Sequence, residues 1–369
     1  MRFPFPTKEL REGAARFLAP DVPRRKGPGT AGPSPFYNPT MTVNRDMAAM
    51  VLAKWPRRLG SVLDGLSATG VWGIRVHLEA GSMPVAFQDR SALATDLIRE
   101  NLRRNGMAGE VFRGNFRTRL PDGEYDFVDI DPFGTPEPFV APLLESAPVG
   151  MGFGLTATDT AVLGGTYPST CVKRYGATPL RCPQGMEIGL RILLGFCEQE
   201  AARFNKGIRP LVSFAAEHFL RVYALVERRS RPSPLGFVRR RSVGEFVASM
   251  EADSIGPLWI GAMQDTDFLR GLSPSDWTTP VTARLLSTLQ GEAGLPAFFV
   301  TTEELAARER GSPPKTEAFL EALHERGYRA ARTHLHPRGV RTDAPFDAVL
   351  SAFRERMPTG SRDGSKPAS

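Results

Sequence analysis

A chain of 369 residues, 41% hydrophobic and 24% charged, is long enough for one very large domain or two ordinary ones with ample core. This composition excludes a disordered chain, and no apolar run approaches the length of a membrane span. The net charge of +7, carried far more by Arg than by Lys, suits a phosphate-rich partner, although a GC-rich genome writing Arg for Lys gives the same balance.

The N-terminal MRFPFPTKELREG lacks the apolar core of a signal peptide, and Cys171, Cys182 and Cys197 contain no C-x-x-C pair. A reducing, cytoplasmic setting without a zinc ribbon or a disulfide framework is expected. Residues 1–35 read as an extended arm, because 20–35 (PDVPRRKGPGTAGPSP) is basic and rich in Pro and Gly. Strands then alternate with helices: strand 61–66, helix 71–80, strand 83–89, helix 91–105 between an N-cap Ser91 and Gly106, then strands 110–114, 125–130 and 151–158. After an amphipathic helix at 186–204, strands 211–218 and 220–228 lie close enough to pair antiparallel. This is an α/β pattern: a Rossmann-like, doubly wound, mostly parallel sheet with an antiparallel last strand, the ending typical of methyltransferases. Residues 229–245 (RSRPSPLGFVRRRSVGE) read as a basic exposed loop that could meet RNA, or as a merely solvated one. One more apolar strand is expected at 256–263. Helices at 280–293, 302–309 and 314–326, a short strand at 328–333 and the turn HPRGVRTDAP then suggest a smaller α+β domain. The expected division is an arm 1–35, a catalytic domain 36–263, a C-terminal domain 264–358 and a disordered tail 359–369.

The most informative stretch is YDFVDIDPFG at 125–134. A buried parallel strand stops at Asp131 because Pro132 cannot continue the ladder. A carboxylate, a carbonyl and the aromatic face of Phe133 then gather at the carboxyl end of a strand, where open α/β sheets bind ligands. An amino group on a flat base needs acceptors for its N–H bonds and a surface to stack on. The turn resembles the Asp/Asn-Pro-Pro-Tyr/Phe turns of methyltransferases that modify exocyclic base nitrogens.

A cofactor half precedes it. DGLSATGVWG at 64–73 follows the first strand and opens a helix, so small residues let a ligand approach free N–H groups; such turns also occur for packing alone. Asp89 closes the second strand, where an acid can hold ribose hydroxyls, and Asn115 closes the third, where an amide could read adenine. Polar residues at four consecutive strand ends, Asp64, Asp89, Asn115 and Asp131, fit S-adenosylmethionine better than NAD, because no hydride-transfer partner is evident.

Taken in order, the motifs resemble the tRNA (guanine-26-N2)-dimethyltransferases from about Phe36 to Pro345. The segments are FYNPTMTVNRD, LDGLSATGVWGIR, DIDPFGTP, LTATDTAVLGG, EIGLRILLG, GPLWIG and THLHPRGVRTDAP. The resemblance implies S-adenosylmethionine held by Arg45, Arg75 and Asp89, a catalytic carboxylate at Asp131, and base-stacking aromatics at Phe133 and Phe36. It implies tRNA as partner, gripped by the C-terminal turn (Arg332, Arg338, Arg341, with His334 and His336), and no metal. Departures are Asn115-Phe116 for an Asp and a small residue, Thr40 after FYNP, Thr160-Ala161-Val162-Leu163 for Gly-Ala-Pro-Leu, and Thr135 for Ser. Asn115 keeps the hydrogen-bonding shape of Asp without its charge, so adenine recognition is expected to survive.

The expected reaction is methylation, through to dimethylation, of a guanine 2-amino group in tRNA by a monomeric, archaeal-type enzyme. Asp131 and the Pro132 carbonyl would accept its N–H bonds. The rivals are an amino-methyltransferase acting on another RNA or DNA base and a non-catalytic tRNA-binding relative.

Overall fold

Apolar strands alternating with helices can bury both faces only inside a doubly wound sheet. The computed structural model of the chain, which describes residues 3–21, 34–116, 125–229 and 233–358, contains that sheet. The chain begins with an antiparallel hairpin, β1 (Thr7–Glu12) and β2 (Ala15–Pro20), and a helix, α1 (Thr42–Ala53). There follow β3 (Val62–Asp64), α2 (Val71–Glu79), β4 (Val85–Asp89), α3 (Ala92–Arg104), β5 (Val111–Arg113), β6 (Phe127–Ile130), α4 (Glu137–Ser146) and β7 (Gly152–Ala157). Two short helices, α5 (Thr160–Leu163) and α6 (Pro168–Tyr175), precede the long α7 (Gly185–Arg203) and the hairpin of β8 (Lys206–Ala216) and β9 (Phe219–Arg228). The seven strands stand in the order β5-β4-β3-β6-β7-β9-β8, with β9 antiparallel to both neighbours and every other pair parallel. The chain direction of strand addition reverses between β3 and β6, so a ligand crevice opens at their carboxyl ends.

Beyond the sheet come the antiparallel strands β10 (Leu235–Ser242), β11 (Glu245–Ala248) and β12 (Ile255–Trp259), then α8 (Thr266–Arg270) and α9 (Pro280–Glu292). The C-terminal unit is β13 (Val300–Thr301), α10 (Thr302–Glu309), α11 (Thr316–Glu325), β14 (Ala330–Arg332), β15 (Gly339–Thr342) and α12 (Phe346–Arg356), with strand order β13-β15-β14. Val300, Leu305, Phe319, Val340 and Phe353 give this unit its own core. Leu269, Leu272, Leu286 and Leu289 of the α8–α9 region pack instead into the core shared by α1, α2 and β8.

Three expectations are corrected. Residues 7–20 are not part of an extended arm. Asn101 of α3 receives the Leu18 N–H at 2.7 Å and donates to the Leu18 carbonyl at 3.0 Å, which satisfies the outer edge of β2 while Phe17 and Ala19 are buried. Residues 22–33 of that arm and the tail 359–369 lie outside the described residues. Most of the basic segment 229–245 is strand β10 with the start of β11, its Arg239 and Arg240 ion-paired to Glu251 and Glu304; only 230–232 fall outside the described residues. The turn HPRGVRTDAP contains strand β15, whose Arg341 points inward.

That arginine is the centre of a buried junction. Arg341 meets Glu187 of α7 at 2.9 Å and Glu292 of α9 at 3.2 Å, while Arg191 binds Glu187 at 2.9 Å. Burial opposes the charge of Glu187, but Arg341 and then Arg191 outweigh it and hold the carboxyl down at about 2. His334 pairs through Nδ1 with Glu292, and its Nε2 accepts the Ala215 N–H of β8 at 3.2 Å. His334 is therefore a buried tie between the C-terminal unit and the sheet, not a surface turn residue.

Candidate active site

The crevice between β3 and β6 is a cavity of about 400 Å³. Phe36, Arg45, Asp64, Asp89, Asn115, Phe116, Asp131, Pro132 and Phe133 all line it, so nine of the residues singled out in the sequence converge there. A second cavity of about 320 Å³, near Pro56, Val149 and Arg209, contains none of them.

On the β3–β4–β5 side, one oxygen of Asp64 accepts the Gly73 N–H at 3.2 Å, which fixes the mouth of the strand-to-helix turn. Asp89 is oriented by two backbone donors, Ala68 at 3.0 Å and Ser91 at 2.8 Å. Phe116 is fully buried and closes the floor. A Cβ on Gly65 would stand 2.9 Å from its ring, so only glycine fits beneath the loop. Phe116, a departure from the family pattern, thus forms part of the cavity wall.

Arg45 reaches the wall from α1. Its Nε and Nη2 donate to Glu12 at 2.5 and 2.7 Å, and Nη2 also donates to the Asn38 carbonyl at 3.0 Å. Burial opposes the charge of Glu12, but Arg45, then Arg75 and the Tyr37 hydroxyl, hold it at about 2. Arg75 itself does not reach the cavity. It is fully buried behind it, paired with Glu12 at 3.0 Å, Asp46 at 2.7 Å and Glu79 at 2.8 Å. Its geometry is that of a brace for Glu12, and hence for Arg45, rather than of a clamp on a ligand.

On the β6 side, Asn44 donates to Asp131 Oδ2 at 3.2 Å. The turn after Asp131 is pinned from behind. Gly134, with φ +76°, donates to Thr158 Oγ1 at 2.7 Å and accepts the Thr158 N–H at 2.9 Å. Thr135 shares a hydrogen bond of 2.7 Å with the Tyr175 hydroxyl, which also donates to Asp159. Phe133 and Phe36 are exposed, 46% and 36%, and touch edge to face with ring centroids 4.9 Å apart and planes at 71°. They stand together at the mouth, but in mutual contact they leave no room for a base between them; the two rings must part to admit one.

Three carboxylates, Asp64, Asp129 and Asp131, crowd the strand ends. Burial raises all three. Arg221, and for Asp131 also Arg45, opposes the rise at Asp129 and Asp131, but burial is the larger effect and Asp129 is pushed up to about 6. A cationic occupant would favour their ionised forms.

Of the residues expected to meet RNA, Arg332 and Arg338 are exposed, paired with Glu317 and, at 3.2 Å, with Glu303. Arg341 is not available to a phosphate, because Glu187 and Glu292 enclose it. Sequence reasoning missed Glu12, Asn44, Thr158, Arg221 and His218, the last of which also lines the cavity. A signal existed for Arg221. Two glycines inside the apolar strand MGFGLTAT mark a close approach by another group.

A family model described as N2,N2-dimethylguanosine tRNA methyltransferase matches residues 13–236 and 236–354. The tRNA (guanine(26)-N(2))-dimethyltransferase of Methanothermobacter thermautotrophicus is 32% identical, covering 95% of this chain and 99% of that one. The enzyme of the same name from Methanoregula boonei is 35% identical over 94% and 98%. The solved structure of Trm1 from Pyrococcus horikoshii in complex with S-adenosyl-L-methionine superposes with a TM-score of 0.80 at 29% identity, covering 94% of this chain and 99% of that one.

Proposed function

The chain belongs to the N2,N2-dimethylguanosine tRNA methyltransferase family, and from that premise we propose that it methylates the 2-amino group of guanosine 26 in tRNA with S-adenosylmethionine as donor, through to the dimethylated base. The observation that carries this reading is the Asp131-Pro132-Phe133 turn, held at the switch point of the sheet and opening into one cavity with Arg45, Asp89, Asn115 and Phe116.

The residues present fit the donor. Its carboxylate suits Arg45, its ribose suits Asp89, its adenine suits Asn115 and Phe116, and its sulfonium suits the acidic strand ends. When bound, the donor supplies an electrophilic methyl group on a positively charged sulfur. The lone pair of the guanine 2-amino group is delocalised into the ring, so the amine is a poor nucleophile. Asp131 accepts one of its N–H bonds and the Pro132 carbonyl accepts the other, which draws the nitrogen toward a tetrahedral shape and aims its lone pair. Asp131, or water beside it, takes the proton as charge develops. Phe36 and Phe133 part and stack on the extruded base, offsetting a few kcal/mol of unstacking. Arg332 and Arg338 offer the C-terminal unit's cations to tRNA phosphates. No helix among the described residues is long and apolar enough to cross a membrane, and a monomeric cytoplasmic enzyme is part of the proposal.

The test is methylation of unmodified tRNA with labelled S-adenosylmethionine, followed by digestion and identification of the labelled nucleoside. We expect N2-methylated and N2,N2-dimethylated guanosine at position 26. Asp131→Asn should lower turnover at least a hundredfold with little loss of donor binding. Label in adenosine or cytidine, or normal turnover by the variant, would overturn the reading.

A further inference from the structure

Asp129 lies on β6 and Asp131 is the first residue beyond that strand; both line the same cavity and act on each other's charge. Asp64 stands beside them, since β3 pairs with β6 in register Asp64 to Asp129. Three buried carboxylates this close cannot all stay ionised without a counter-charge. Among the described residues, one guanidinium is ion-paired with the group. Arg221 of β9 reaches across the intervening strand β7, pairs with Asp129 through Nη2 and donates to Thr156 Oγ1 at 2.8 Å through Nη1; its residue exposure is zero. The crossing is possible because the strand between has no side chain at that point. Gly154 pairs in register with Asp129 on one side and Tyr223 on the other, and a Cβ on it would overlap both Arg221 Nη2 and Asp129 Oδ1. Glycine inside a buried strand weakens it, so its presence marks a close approach. Here that approach is the ion pair.

We propose that Arg221 is a positioning residue for methyl transfer: by neutralising Asp129 through the gap at Gly154, it leaves Asp131 ionised and free to accept the amino group's N–H. The inference rests on Asp131 as that acceptor. The other charged and titratable groups acting on Asp131 are Arg45 from α1, Asp64 from β3, Asp129 from β6 and Tyr223 from β9, and His218 from the β8–β9 turn lines the same cavity; Asn44 and Thr156 add neutral hydrogen bonds. Arg45 also favours the ionised Asp131, after Arg221, while its Nε and Nη2 are held by Glu12. Without Arg221, Asp129 and Asp131 would share a proton, and Asp131 would ionise only at higher pH. The direction of both shifts agrees, since burial raises each carboxyl and Arg221 is the first group to oppose it.

The experiment is single-turnover methylation at saturating tRNA and S-adenosylmethionine between pH 5.5 and about 9 for Arg221→Met, Gly154→Ala, Arg221→Lys and the double variant Asp129→Asn/Arg221→Met, with donor binding measured in parallel. We expect the acid limb of Arg221→Met to move up by at least about one pH unit, a roughly tenfold loss of rate on that limb that recovers at high pH. Gly154→Ala should move it the same way, Arg221→Lys less, and the double variant should bring it back toward the parent. A merely structural arginine would lower the rate equally at every pH. That outcome, or an unmoved limb in variants that still bind donor, would overturn the proposal. Should Arg221→Met not fold, Gly154→Ala and Arg221→Lys carry the same test. Asp131→Asn run alongside separates the two failures. Normal turnover there removes Asp131 as the acceptor, whereas an inactive Asp131→Asn with an unmoved limb in Arg221→Met removes only the role of Arg221.

Discussion

Glu12 joins an N-terminal hairpin to the cavity wall, and its replacement by Gln should be costly out of proportion to one charge. Its carboxylate receives Arg45 twice, Arg75 at 3.0 Å, the Tyr37 hydroxyl at 2.8 Å and the Thr42 hydroxyl at 3.0 Å. The carboxyl is held at about 2 against an ordinary 4.5. At about 1.36 kcal/mol per unit, this stabilises the folded chain by roughly 3 kcal/mol at neutral pH, in line with the roughly 3–5 kcal/mol lost when one partner of a buried pair is removed. Because the folded value is depressed, the contribution is whole above about pH 4.5, shrinks to about half near pH 3 and is gone below about pH 2. Glu12→Gln should therefore lower the thermal midpoint at pH 7 by roughly 6 °C, taking about 2 °C per kcal/mol for a chain of this size. The deficit should narrow as both proteins are measured at lower pH. Arg45 loses its anchor in the same variant, so donor affinity should fall more than the rate at saturation. An unchanged midpoint at pH 7, or a deficit that does not narrow on acidification, would refute the reasoning.

Other variants separate site from scaffold. Phe133→Ala removes one stacking face and should lower kcat/KM for tRNA by the equivalent of roughly 1–3 kcal/mol while sparing donor binding, measured by calorimetry. Arg341→Met breaks the buried junction with Glu187 and Glu292 and should destabilise the fold by roughly 3–5 kcal/mol in denaturant melts, leaving the salt dependence of tRNA binding unchanged. Arg338→Glu should do the reverse, with normal stability and a salt slope reduced by about 1. Asn44→Asp places another acid against Asp131 Oδ2 and should displace the acid limb of methylation upward by roughly 1–3 pH units, whereas Asn44→Ala, which only removes a hydrogen bond favouring the ionised carboxyl, should displace it the same way by less.

The half of the cavity built by the turn after β6 was legible because it is local. Asp131, Pro132 and Phe133 are neighbours in sequence, and a proline that ends a strand is readable without tertiary information. Strand-end positions for Asp64, Asp89 and Asn115 follow from periodicity once the α/β alternation is seen. What escaped was either far away in sequence or hidden by burial. Glu12 lies 33 residues from Arg45, in a hairpin whose first strand is too charged to show an alternating pattern. Helix α1 was invisible because Val43 through Leu52 are all buried, so no polar face gives it a period of 3.6. Arg341 reads as a basic turn residue, because nothing nearby announces the acids of α7 and α9 that enclose it.

The missed helix explains how the two halves of the cavity are held in one frame. Adjacent residues of α1 serve opposite walls: Asn44 donates to Asp131, and Arg45 turns to Glu12 on the other side. Asp46, the next residue, pairs with Arg75 and accepts the Thr279 and Thr282 hydroxyls, each at 2.7 Å, at the start of α9. One turn of helix thus fixes Asp131, Arg45 and the packing of α9 relative to one another. Such a turn needs polar residues at successive positions while the rest of the helix is apolar all round, and that requirement is also what removed the amphipathic signal. The pattern that makes α1 unreadable as a surface helix is the one that lets it register the β6 wall of the cavity against the β3–β4–β5 wall.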